Sequence, residues 1–173
     1  MATSYTSGST SEGSAVLYLE DFAVGDRREF GRYPVTSEEV IDFGRKYDPQ
    51  PFHIDPEAAA ETHFGGLIAS GWHTCGMFMK MLADDMVAQG GGSLGSPGVD
   101  EIRWLKPVRP GDELSVRSEV VEVRPSKSKP DRGIVRSSYE IFTQDGAAVM
   151  TLTSVAMMNR RPGTAPATSN AAD

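Results

Sequence analysis

Residues 70 to 89, SGWHTCGMFMKMLADDMVAQ, constrain the fold of this chain more than any other segment. They contain no proline and run unbroken into Gly90-Gly91-Gly92, so they predict a single helix about 30 Å long at 1.5 Å per residue. Trp72, Cys75, Phe78, Leu82 and Val87, with Met77, Met79, Met81 and Met86, spread over most of its circumference. A helix that is apolar nearly all round has to be wrapped by other elements.

The chain after the helix reads as the wrapper. Val99 to Leu105 is strand-like and ends at a turn, Pro107-Val108-Arg109-Pro110-Gly111-Asp112. Leu114 to Val123 follows, with an alternation that changes phase at Val120-Val121 and predicts a bulge or strong bend. Ile134 to Thr143 and Ala147 to Met158 form a hairpin across Gln144-Asp145-Gly146. One long helix and an antiparallel meander imply an α+β domain, a sheet curled around the helix.

Ahead of the helix the elements are short. A turn at Ala23-Val24-Gly25-Asp26 separates two expected strands, near Leu17 to Leu19 and Arg28 to Phe30. Thr36 with Glu39 reads as a capping box, and Val40, Ile41, Phe43 and Tyr47 give the next helix its apolar stripe. Asp55 is a good N-cap with Pro56 at the first helical position, opening a short helix that Gly65-Gly66 ends. Residues 1–14 and 160–173 are rich in small and polar residues without periodicity and read as mobile tails around one domain, residues 15–159.

Bulk properties narrow the function classes. A formal net charge of −7 and a pI near 5.0 disfavour nucleic acid and anionic membrane as partners, because both need a basic footprint. No apolar run is long enough for a membrane span and the N-terminus lacks an export signal, so a soluble, cytoplasmic protein is expected. The single cysteine, Cys75, precludes an internal disulfide and reads as a small core residue. Three histidines and one cysteine at these spacings make no metal ligand set.

The segment Tyr47 to Pro56, YDPQPFHIDP, holds two aspartates, a histidine and three prolines. Proline fixes its own φ and restricts the residue before it, so the segment reads as a stiff loop and not a helix. Such a loop can hold an acid and a base at fixed separation. On residue types alone, Asp48 before Pro49 reads most simply as a turn residue and His53 as a partly buried histidine satisfied by backbone. His63, at the end of a short helix, and His73, on the face shared with Lys80 and Asp84, read as structural, and Arg103, Lys106 and Arg109 as solvated strand-edge cations or contacts to a ligand's phosphates.

The residues Asp48-Pro49-Gln50-Pro51-Phe52-His53, then Ile54-Asp55-Pro56, Phe64-Gly65-Gly66-Leu67-Ile68-Ala69-Ser70-Gly71 and Ile102-Arg103-Trp104-Leu105-Lys106-Pro107 through Asp112 resemble the MaoC-like hydratase/dehydratase family, over roughly residues 17 to 158. The resemblance implies a hot-dog fold and a metal-free, redox-cofactor-free enzyme that interconverts trans-2-enoyl-CoA and (R)-3-hydroxyacyl-CoA. It implies a homodimer or higher homo-oligomer whose sheets join edge to edge. Asp48 and His53 correspond to the family's catalytic pair, and Gly71 to the glycine whose backbone N–H receives the enolate oxygen; Ser70 and Trp72, beside it, are expected to bind substrate. This chain has Gln50 where many members have Asn, Ser70 where many have His at the helix start, and Met79 where bacterial hydratases have a serine that orients the pair. Two alternatives stand beside hydration: a hot-dog thioesterase, which would need a carboxylate near the start or middle of the long helix where this chain has only the late Asp84 and Asp85, and a non-catalytic acyl-thioester-binding subunit.

Overall fold

The long helix organises the protein. The computed structural model describes residues 6–7 and 16–164. In chain order its elements are β1 (Thr6–Ser7), a 3-10 turn (Leu19–Asp21), β2 (Arg27–Pro34), α1 (Ser37–Tyr47), α2 (Pro51–Ile54), α3 (Pro56–Ala60), α4 (Gly71–Ala88), β3 (Gly98–Trp104), β4 (Glu113–Pro125), β5 (Arg132–Thr143) and β6 (Ala148–Asn159). The sheet order is β1-β2-β4-β5-β6-β3. All neighbours pair antiparallel except β1, which lies parallel to β2.

β3 follows α4 directly yet lies on the far edge beside β6, so the chain crosses the sheet after the helix and leaves β4, β5 and β6 as a meander between. The meander curls over one face of α4. Met77, Phe78 and Met81 from the helix are buried against Leu114, Val116, Ile141 and Met150 from the sheet. Each such side chain contributes about 1.5–3 kcal/mol of burial. The bend expected at Val120 is a register shift between Val120 and Glu122 in the β4–β5 ladder. Gly146, at φ 77°, closes the hairpin by donating its N–H to the Thr143 carbonyl at 2.8 Å.

Several expectations are corrected. Leu17 to Leu19 is no strand: Tyr18 to Asp21 folds into a 3-10 turn because the Asp21 carboxylate accepts the Tyr18 N–H at 2.9 Å. The proline-rich loop contains one helical turn, α2, because Pro51 sits at the first helical position, where its missing N–H costs nothing. The Thr36 cap accepts the Glu39 N–H at 3.3 Å, but the Glu39 carboxylate turns away to the Tyr33 hydroxyl instead of completing the box. α4 is wrapped on one side only. Trp72, Met79 and Val87 are 62%, 54% and 76% exposed, a stripe opposite the face the sheet covers.

Residues 160–164 do not begin a free tail. Arg160 Nε meets Glu20 Oε1 at 2.9 Å and Arg161 Nη2 meets Asp21 Oδ1 at 2.5 Å, tying this end to the 3-10 turn. Apart from Thr6–Ser7, the tails expected at 1–14 and beyond 164 lie outside the described residues. Among the described residues no helix is long and apolar enough to cross a membrane.

Candidate active site

The end of α1, the short α2 and the end of β3 converge on the N-terminus of α4. Asp48 caps the C-terminus of α1, its N–H donating to the Gly44 carbonyl at 2.9 Å. Gly44 is required there, since a Cβ would come within 2.9 Å of the His53 carbonyl oxygen. The chain then turns through Pro49 into α2, where the His53 N–H donates to the Gln50 carbonyl at 2.9 Å. α1 is held on α4 by the His73 ring, stacked on Phe43 with centroids 4.7 Å apart.

These constraints bring Asp48 and His53 together. His53 is 4% exposed, and its Nε2 lies 3.3 Å from Asp48 Oδ2. Its Nδ1 lies 2.8 Å from the Ile68 carbonyl. A carbonyl only accepts, so Nδ1 carries a proton and Nε2 is the nitrogen presented to Asp48. The Asp48 carboxylate has two further donors: Ser70 Oγ–H to Oδ2 at 2.7 Å and Gln50 Nε2–H to Oδ1 at 2.8 Å. Partial burial alone would raise its pKa, but these two hydrogen bonds and the facing His53 outweigh that and hold the carboxyl below its ordinary value.

Gly71 is the first residue of α4, so its N–H has no partner within the helix. A Cβ on Gly71 would come within 2.6 Å of Trp104 Cε2, and Trp104 Nε1–H donates to the Gly71 carbonyl at 2.9 Å. The glycine therefore allows the indole to lie on the helix start. Trp72 and Trp104 meet edge to face at 5.5 Å.

All five expected site residues, Asp48, His53, Ser70, Gly71 and Trp72, line one cleft of about 410 Å³. Ser70 departs from its expected role. It is 1% exposed, and its hydroxyl turns to Asp48 while accepting the Trp72 N–H at 3.3 Å. It contacts Asp48 where Met79, more than half exposed and about 12 Å further along the helix, does not. Gln50, which the sequence marks only as a departure from the family's Asn, and the Ile68 carbonyl, which it does not mark as a site group, complete the pair's hydrogen bonds. Gln50 stands two residues from Asp48, close enough for its amide to reach the carboxylate.

Apart from Lys106, the other candidates fall outside this arrangement. His63 packs on Phe64 at 3.8 Å. His73 shares the face of Lys80 and Asp84 but is buried beneath α1; burial lowers its pKa, against the opposing effect of Glu39 3.7 Å away. Burial likewise raises the Cys75 thiol, which packs against Met150. Lys106 lines the cleft, Arg109 donates to the Phe64 carbonyl at 2.5 Å, and Arg103 pairs with Glu101 at 2.7 Å. Among the described residues no group of three or more His, Cys, Asp or Glu side chains is placed to hold a metal.

Comparison with known proteins agrees with this geometry at the level of family and fold. The chain is 31% identical over 140 residues to the 3-hydroxybutyryl-CoA dehydratase of Methylorubrum extorquens, covering 78% of this chain and 83% of that one. It is 31% identical over 135 residues to the (R)-specific enoyl-CoA hydratase of Aeromonas caviae, covering 78% of this chain and 94% of that one. The crystal structure of a MaoC-like dehydratase from Rhodospirillum rubrum superposes with a TM-score of 0.74 at 42% identity, over 84% of this chain and 99% of that one. The curled sheet around α4 is thus the hot-dog fold. With the model of the MaoC-like domain matching residues 21–140, this chain belongs to the MaoC-like hydratase/dehydratase family.

Proposed function

We propose that this protein is a cytoplasmic hydro-lyase interconverting trans-2-enoyl-CoA and (R)-3-hydroxyacyl-CoA, with Asp48 and His53 as its catalytic pair. The observation that carries the reading is the facing of His53 Nε2 and Asp48 Oδ2 at 3.3 Å in a cleft that also holds the first N–H of α4. In the hydration direction His53 Nε2 accepts a proton from water as its oxygen bonds to the β-carbon. The alkene electrons move to the thioester oxygen, and the α-carbon is then protonated by the pair. The Gly71 N–H and the positive end of the α4 dipole receive the enolate oxygen, and no metal or redox cofactor is needed. The names of the two relatives support a coenzyme A thioester as substrate, and Lys106 supplies a cation at the cleft.

A thioesterase reading loses its carboxylate. Asp84 pairs with Lys80 at 2.5 Å and Asp85 with Arg28 at 2.8 Å, about 20 Å along α4 from Gly71. The decisive experiment follows enoyl-thioester absorbance with crotonyl-CoA and longer or branched enoyl-CoAs, with free thiol assayed in parallel. Loss of absorbance without thiol release is expected. Thiol release from a saturated acyl-CoA would make the protein a thioesterase, and binding without either change would make it a non-catalytic acyl-thioester-binding subunit.

The same reading includes a homodimer. The exposed stripe of Trp72, Met79 and Val87, together with the unpaired edge of β3, where Val99 and Trp104 are about half exposed, is the surface a second copy would cover. Light scattering is expected to give twice the 18.7 kDa chain mass; a monomer at micromolar concentration would remove this part of the reading.

A further inference from the structure

We infer that Ser70 is a positioning residue that fixes the Asp48 carboxylate as a hydrogen-bond acceptor, so that His53 rather than Asp48 carries the proton between water and the substrate α-carbon. The inference rests on the hydratase reading above and divides the labour within the pair.

The direction of the Ser70 hydrogen bond follows from its surroundings. The hydroxyl oxygen accepts the Trp72 N–H at 3.3 Å, and its own hydrogen points to Asp48 Oδ2 at 2.7 Å. Ser70 is the N-cap of α4 and is 1% exposed, so the hydroxyl has no room to swing to solvent. Gln50 donates to the other oxygen, Oδ1, at 2.8 Å. Both carboxylate oxygens therefore already accept from neutral donors, an arrangement that favours the charged form. A proton placed on Oδ2 would confront the hydrogen of Ser70 or force that hydroxyl to turn. His53 is the titratable group that faces Asp48, and Lys106 is the cleft's other charged group; neither offers Asp48 a site for a relayed proton beyond His53 Nε2 itself.

His53 is prepared for the complementary task. Its Nδ1–H is held by the Ile68 carbonyl, so Nε2 takes the water proton and the resulting imidazolium faces a fixed negative charge 3.3 Å away. The water oxygen bonds to the β-carbon, the alkene pair moves to the thioester oxygen, and the imidazolium returns its proton to the α-carbon. Net addition of water leaves both side chains in their starting states. One group delivering and returning the proton from one face also accounts for a syn product.

The test compares the native protein with Ser70→Ala and Ser70→Thr. The Asp48 carboxyl titration is followed by carbon-13 NMR of aspartate-labelled protein, with the resonance assigned through Asp48→Asn. In Ser70→Ala the Asp48 titration is expected to move upward, and kcat for crotonyl-CoA to fall about 10- to 100-fold with KM within about twofold, the loss of one hydrogen bond to a charged group. Ser70→Thr, which keeps the hydroxyl, is expected to restore both values most of the way. Thermal unfolding of each variant separates this effect from loss of the helix cap, since a capping defect lowers the transition temperature without moving the Asp48 titration. An unmoved Asp48 titration in a folded Ser70→Ala protein overturns the proposal, as does an increase in KM at unchanged kcat, which would make Ser70 a substrate contact. The titration is measured without substrate, so a native protein inactive on every enoyl thioester removes the hydratase reading while the Asp48–Ser70 coupling is still decided.

Discussion

His53→Ala is expected to lower kcat for crotonyl-CoA hydration by about a hundred- to ten-thousand-fold, the range lost when a positioned general acid–base is removed. Asp48→Asn is expected to lose less. The reason lies in what each side chain can be replaced by. An asparagine at 48 keeps the shape of the carboxylate and still accepts the Ser70 hydroxyl, and Gln50 can flip its amide to present its oxygen to the new NH2. Only the negative charge facing His53 Nε2 is lost. An alanine at 53 removes the one group able both to accept the water proton and to return it. Absorbance assays on both variants, with circular dichroism to establish folding, give the order. If Asp48→Asn proves the more damaging, the base is Asp48 and His53 only orients it. If neither variant changes turnover, chemistry resides elsewhere in the cleft.

The parts of this site legible in the sequence were those carried by backbone chemistry and spacing. Asp55 is an N-cap, Gly90-Gly91-Gly92 ends α4 with three positive φ values, and the phase change at Val120 is a bulge. Each depends on residues within a few positions of one another. The errors arose where a local preference had more than one outlet. Pro51 stiffens a loop and also begins a helix, and the helical turn observed here packs His53 against Gly44 of α1, a contact outside the turn itself. His73 shares a helix face with Lys80, yet α1 folds over it, and nothing local to α4 signals that cover. Ser70 reads in the sequence as a substrate contact because it precedes Gly71. Its turn toward Asp48, 22 residues earlier, is a tertiary fact set by how α1 and α4 meet.

Gly71 yields the sharpest separation of packing from chemistry. It occupies the first position of α4, where proline is well tolerated, and Ser70 before it has φ −57° and ψ 143°, a conformation that a following proline favours. Proline at 71 therefore deletes the N–H without breaking the helix. The obstacle is Trp104, whose indole would lie 2.6 Å from any new Cβ. In the native background Gly71→Ala is thus expected to displace the indole, at about 1–3 kcal/mol of overpacking, and to impair activity for that reason alone. Trp104→Leu opens the space. In that background Gly71→Ala is expected to cost little in kcat, whereas Gly71→Pro loses about 10²- to 10³-fold, the consequence of removing one donor to a developing oxyanion. Steady-state kinetics on the two double variants, with thermal unfolding as the check on folding, measure the difference. Equal activity of alanine and proline at 71 would mean that the glycine serves only the indole, and the enolate oxygen would then need a donor other than the start of α4.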